Sequence, residues 1–139
     1  MINSGTQIRT AIISAIKNLV APVPVYSIMP PDNVLKYILI QNMAENALDE
    51  KRAFLNEGFI SITIVEKFLG RDGDFDQVNN IANTVINAIT PNRLSTFGNV
   101  GGINIFSLRF ETNTETLFET EPGRTAVKSL RLKYFVQST

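Results

Sequence analysis

Apolar residues recur at two different periods along this chain, and the changes of period mark out its elements. Ile8, Ala11, Ile12, Ala15, Ile16 and Leu19 are spaced at three and four residues, which puts them on one face of a helix. Ser4-Gly5-Thr6-Gln7 stands just before them with capping-box spacing, a hydroxyl to accept from the first turn and an amide to reach back. Pro22 and Pro24 stop the helix and force an extended exit. The pattern predicts a helix over about residues 5–20.

Val25 and Tyr26 then read as a short strand and residues 36–42 as a second. In the second, Tyr37, Ile38, Leu39 and Ile40 barely alternate, which suggests burial on both faces. Residues 43–56 form a polar connection carrying Glu45, Asp49, Glu50, Lys51 and Arg52, and connections of that length are commonly functional. A third strand over about residues 57–68 sets Ile60, Ile62 and Ile64 against Phe59, Ser61, Thr63 and Val65. After a Gly70-Arg71-Asp72-Gly73 turn, Asp74 with Gln77 is expected to cap a second helix. Phe75, Val78, Ala82, Val85, Ile86 and Ile89 give that helix its apolar face, and Pro91 ends it.

From Gly101 the period returns to two. Phe106, Leu108 and Phe110 oppose Ser107, Arg109 and Glu111; later, Leu130, Leu132, Tyr134 and Val136 oppose Arg131, Lys133 and Gln137. Two amphipathic helices with four or five one-sided strands predict an α+β fold. It is a two-layer sandwich with a mostly antiparallel sheet and both helices on one face. At 139 residues, one domain spanning residues 1–139 is expected.

Composition narrows the chemistry. The chain has no histidine, cysteine or tryptophan, so disulfides, thiolate metal sites and histidine-based catalysis are excluded. Thirteen basic and thirteen acidic residues cancel, which lacks the footprint of a general nucleic-acid binder. Arg9 and Lys17 interrupt the N-terminal apolar helix, unlike a signal peptide. No apolar run approaches the roughly 20 residues of a membrane span, so a soluble chain used without export is expected.

Few constellations survive inspection. Asp72, Asp74 and Asp76 alternate as in a calcium loop, but Gln77 and Asn83 stand where glycine and glutamate would be required; helix capping accounts for them. Gly98-Asn99-Val100-Gly101-Gly102 leads into a strand rather than a helix, so it reads as a turn and not a phosphate cradle. No serine lies in a glycine-flanked elbow beside a base. No cofactor and no metal is expected.

Charge along the chain offers more. Glu111, Glu115, Glu119 and Glu121 make residues 111–121 acidic, and Arg124, Lys128, Arg131 and Lys133 make residues 124–133 basic. One reading is a solvated hairpin face; the other is a polarised projection whose acidic arm meets the basic strand of a neighbouring subunit. Exposed ion pairs contribute roughly 0.2–1 kcal/mol each, enough to set register but not to hold an assembly. Leu117 and Phe118, set among the acids, are the candidate apolar anchors.

The order of elements also has a counterpart. Val25-Tyr26, Met29-Pro30, Tyr37-Ile38-Leu39-Ile40, Ile60-Ser61-Ile62-Thr63-Ile64 and the helix from Ile81 to Ile89 together resemble the tail terminator (tail completion) proteins of long-tailed bacteriophages. The likeness spans about residues 6–90, and its motifs are patterns of hydrophobicity and turns. It implies a non-enzymatic virion protein, assembled in the host cytoplasm into a ring, typically a hexamer, in the tail or neck. Such a ring caps the tail tube, stops its polymerisation and joins it to a head-side connector protein. The genome could pass through it without sequence-specific contact, and no membrane is involved. Residues 43–56 and 111–124 are then the two projections available for contacts between subunits. The alternatives are a head-completion or connector ring of the same neck, or a small ligand-binding module or enzyme. The last would use a carboxylate–arginine site near Arg109, Glu111 and Tyr134.

Overall fold

The structure, a computed structural model, describes residues 5–47, 55–69, 74–89, 99–100, 103–120 and 123–138. Helix α1 (Gly5–Ile16) leads through β1 (Val25–Tyr26) to β2 (Lys36–Ala47) and β3 (Leu55–Leu69). Helix α2 (Asp76–Ala88), β4 (Asn99–Val100), β5 (Ile103–Thr120) and β6 (Gly123–Ser138) complete the order. All the strands join one sheet in the order β1-β2-β3-β6-β5-β4. Among the described residues only β1 and β2 run parallel; β2-β3, β3-β6, β6-β5 and β5-β4 are antiparallel.

The predicted periods set the core. Ile8, Ile12 and Ile16 of α1 and Val78, Ala82 and Val85 of α2 pack with Ile38, Ile40, Ile60, Ile62, Ile64, Leu130, Leu132, Tyr134 and Val136. Both helices therefore cover the same sheet face, as the alternation in β3 and β6 requires. Tyr37 and Leu39 of β2 turn the other way and join Val65 in a smaller cluster, with Tyr26, Val34 and Val127 beside it. That second cluster is why β2 reads as apolar on both faces. Burial, with the Asp32 charge adding to it, raises the pKa of the Tyr37 hydroxyl.

Tyr134 faces Gly58 across the β3-β6 pair. A Cβ at residue 58 would overlap the hydroxyl end of the Tyr134 ring, so the glycine is what leaves space for a buried tyrosine.

Several boundaries differ from expectation. The first helix ends at Ile16, and turn hydrogen bonds from Leu19 and Val20 to the Ile16 carbonyl follow it. Val20 is buried there but Leu19 is exposed, so Leu19 is not part of the apolar face. Helix α2 is not capped by Asp74 with Gln77: its N-cap is Phe75, without a side-chain cap bond. The Asp74 carboxylate instead accepts from the Asp76 amide at 3.0 Å, and the Gln77 side chain accepts from Lys36. Ser4 and Asp72 lie outside the described residues.

The larger differences concern the polar connection and the charged projection. Glu45, Asn46 and Ala47 pair with Gly58, Glu57 and Asn56, so β2 and β3 continue as a hairpin arm beyond a register shift between Asn42 and Glu45. Residues 112–120 are likewise strand, paired with β6 from Arg131 to Gly123. Backbone hydrogen bonds build such extensions without needing apolar side chains, which is why hydropathy shows them as loops. Asp49, Glu50, Lys51, Arg52 and Glu121 lie outside the described residues.

Candidate assembly surface

The proposed interface charges of the β5-β6 hairpin come together within one chain. Glu119 and Arg124 stand directly opposite and pair at 3.3 Å, and Glu115 and Lys128 do so at 2.9 Å. Glu111 lies at the register shift between Phe110 and Thr112, where its carboxylate approaches Arg131 at 3.5 Å and Lys133 at 3.8 Å. Lys133 also binds Glu57 of β3 at 2.7 Å. Within the chain these acids form a ladder with the hairpin's own basic strand, as expected of a hairpin face. Cross-strand neighbours lie only about 5 Å apart, so the nearest bases take the acids.

Alternation divides this ladder between two faces. Lys128 is 8% exposed, on the helix-covered side, and its ammonium donates to Glu115. That hydrogen bond lowers the Glu115 pKa; the Lys128 charge and a hydrogen bond from the Asn79 side chain add to the effect, and desolvation opposes it. A carboxyl with a lowered folded pKa stabilises the fold above its ordinary pKa and ceases to do so as pH falls through the folded value. Glu115→Gln is thus expected to reduce the melting temperature at neutral pH. The difference from the native chain should shrink as pH falls below the ordinary carboxylate range and through the lowered Glu115 pKa. A difference independent of pH would show that the pair is not responsible.

On the uncovered face the cations sit on aromatic rings. The Arg131 guanidinium lies 4.1 Å from the Phe59 ring centre, and Lys133 lies 5.7 Å from Phe59 and 5.3 Å from Phe135. These charges stand on rings and beside carboxylates already, so the face is polar but largely self-satisfied.

Leu117 and Phe118 are not a single patch. They are neighbours in a strand, opposite Ala126 and Thr125, so they point to opposite faces. Both are exposed, at 39% and 52%. A second exposed apolar pair, not anticipated from sequence, is Ile28 at 74% and Met29 at 66%, just after β1. The only hint in the sequence is an apolar pair placed between a strand and Pro30-Pro31 with no alternation to bury it. The two pairs sit on opposite ends of the sheet, one on β5 and the other next to β1.

The residues considered for a small-molecule site do not converge. Arg109 is exposed, Glu111 is occupied by Arg131 and Lys133, and Tyr134 is buried on the helix-covered face. A cavity of about 480 Å³ does lie beside the end of α1, lined by residues 20–24 with Lys36, Gln77, Asn80 and Ile81. Its cation is already engaged, since Lys36 pairs with Glu66 at 3.6 Å and donates to Gln77. Among the described residues, no group of three acidic side chains could hold a metal ion, and no helix is long and apolar enough to cross a membrane.

No family model and no curated protein matches the chain. Among solved structures, a chain from the "Virion of native gene transfer agent (GTA) particle" has the same fold, with a TM-score of 0.72. The match covers 99% of this chain and 100% of that one at 13% identity.

Proposed function

We propose that this chain is a non-enzymatic virion structural protein, a tail terminator subunit. It forms a ring, typically a hexamer, that caps the tail tube, stops its polymerisation and joins the tail to the head connector. The observation that carries this reading is the end-to-end likeness in fold to a chain of a virion particle. It also accords with the sequence pattern of residues 25–40 and 60–64. Physically, a ring subunit needs two different surfaces that mate head to tail and close. Exposed apolar pairs at opposite ends of one sheet suit that role.

The reading places the protein in the tail or neck of a virion, with tube protein and head-side connector as partners. Glu45, Asp49, Glu50, Lys51, Arg52 and Glu121 remain proposed interface residues on their sequence pattern alone. Replacing Leu117 and Phe118 together with serine is expected to leave the monomer's melting temperature nearly unchanged while weakening ring formation at least tenfold. Sedimentation and negative-stain imaging check this. A large loss of monomer stability would assign the two residues to the core, and an unaltered ring would remove them from the interface.

A further inference from the structure

Both ends of the sheet present strand edges, and the two edges differ. On β5, residues 111–119 are exposed along their whole length. Among the described residues, β4 pairs only with Ile103 and Asn104, leaving the rest of that edge uncovered. At the other end β1 covers β2 only at Ile38 and Leu39, and Gln41, Asn42 and Met43 are exposed beyond it. Open edges carry a row of amides and carbonyls that accept another strand, and proteins ordinarily block them with lysine, proline or bulges.

The β5 edge is poorly blocked. Its register shifts occur before Thr112, so residues 112–120 pair regularly with β6. That stretch contains no lysine or proline, and Thr112, Thr114, Thr116 and Thr120 favour extended backbone. Glu115 and Glu119 are drawn toward β6 by Lys128 and Arg124.

The charges also choose the occupant. Two β5 edges laid together would bring Glu115 and Glu119 beside the same carboxylates of the other copy, and like charges across strands are destabilising. The β2 edge instead offers Gln41, Asn42 and Met43, which are uncharged. It also has Ile28 and Met29 exposed beside it, as β5 has Leu117 and Phe118.

We propose that residues 112–120 of one copy dock along the β1-β2 edge of the next copy, continuing the sheet between subunits. Phe118, opposite Thr125 on the face away from the helices, then lies against Met29, whose sulfur accepts from the Tyr37 hydroxyl on that same face. This contact rests on the ring reading above and specifies which surfaces close it. The join is head to tail, because each chain carries one half at each end of its sheet.

The chain has no cysteine, so introduced thiols report the contact directly. Phe118→Cys and Met29→Cys are prepared separately, together in one chain, and as a mixture, then treated with a short bis-maleimide in the assembled state. Cross-linked dimers are expected in the mixture and a ladder ending at the ring in the double variant. Neither single variant should cross-link to itself. Self-linking of Phe118→Cys alone would overturn the proposal in favour of a two-fold β5 contact. Absence of cross-links in a preparation that sediments as a ring would overturn the edge contact while leaving the ring standing. A chain that stays monomeric in every preparation, tube protein included, would end both.

Discussion

Replacing Ile62 with alanine is expected to cost about 2–5 kcal/mol of folding stability, from the lost transfer energy and the cavity left behind. Ile62 is wholly buried at the middle of β3, opposite Ile40 of β2 and Leu130 of β6. Its side chain faces the helices in a cluster that α1 and α2 both enter. Its cross-strand neighbours Ile40 and Leu130 are both aliphatic, so a void there is lined by apolar groups on both sides. Urea unfolding gives the number. A loss below about 1 kcal/mol, the range of surface substitutions, would contradict the assignment of odd and even positions in β3.

The second large effect comes from adding atoms. Gly58→Ala puts a methyl group where the Tyr134 ring lies, and the ring is itself fully buried. Overpacking of this kind costs about 1–3 kcal/mol, and the loss of an extended glycine's flexibility in the unfolded chain offsets only part of it. The same urea titration applies. Shortening the ring provides the control: in a Tyr134→Leu background, Gly58→Ala should cost much less, because the two residues interact directly. Equal costs in both backgrounds would mean that Tyr134 is not what Gly58 accommodates.

Where the sequence could be read in advance, burial of one face was the reason. Ile60, Ile62 and Ile64 alternate because even positions of β3 meet the helices. Leu130, Leu132, Tyr134 and Val136 repeat the pattern in β6. Helix α2 declares itself equally well through Val78, Ala82, Val85 and Ile89. Residues 111–119 do not, because both faces of that strand meet solvent and no period is imposed. Its signal was in the charges: Glu119 and Glu115 stand as far before residues 121–122 as Arg124 and Lys128 stand after them. Opposite charges mirrored about a turn are what an antiparallel pair requires, a clue that hydropathy cannot register.

The candidate site was legible only in part for the same reason. Leu117 and Phe118 stand out as apolar residues among acids, yet the strand that sends them to opposite faces was hidden by its polarity. Ile28 and Met29 escaped because a lone apolar pair in a proline turn has many explanations until its exposure is known. The charges of the hairpin pair with one another across its two strands.

As a proposed tail terminator, this chain should close on the end of a tail tube and stop its growth. Polymerising tube protein in the presence of increasing amounts of this chain, and measuring tube lengths by negative-stain electron microscopy, tests it most directly. Shorter tubes bearing a ring at one end are expected, with the effect lost in the Leu117→Ser/Phe118→Ser variant. Tubes of unchanged length with bare ends, at concentrations where the chain is itself a ring, would contradict it and point to the head side of the neck instead.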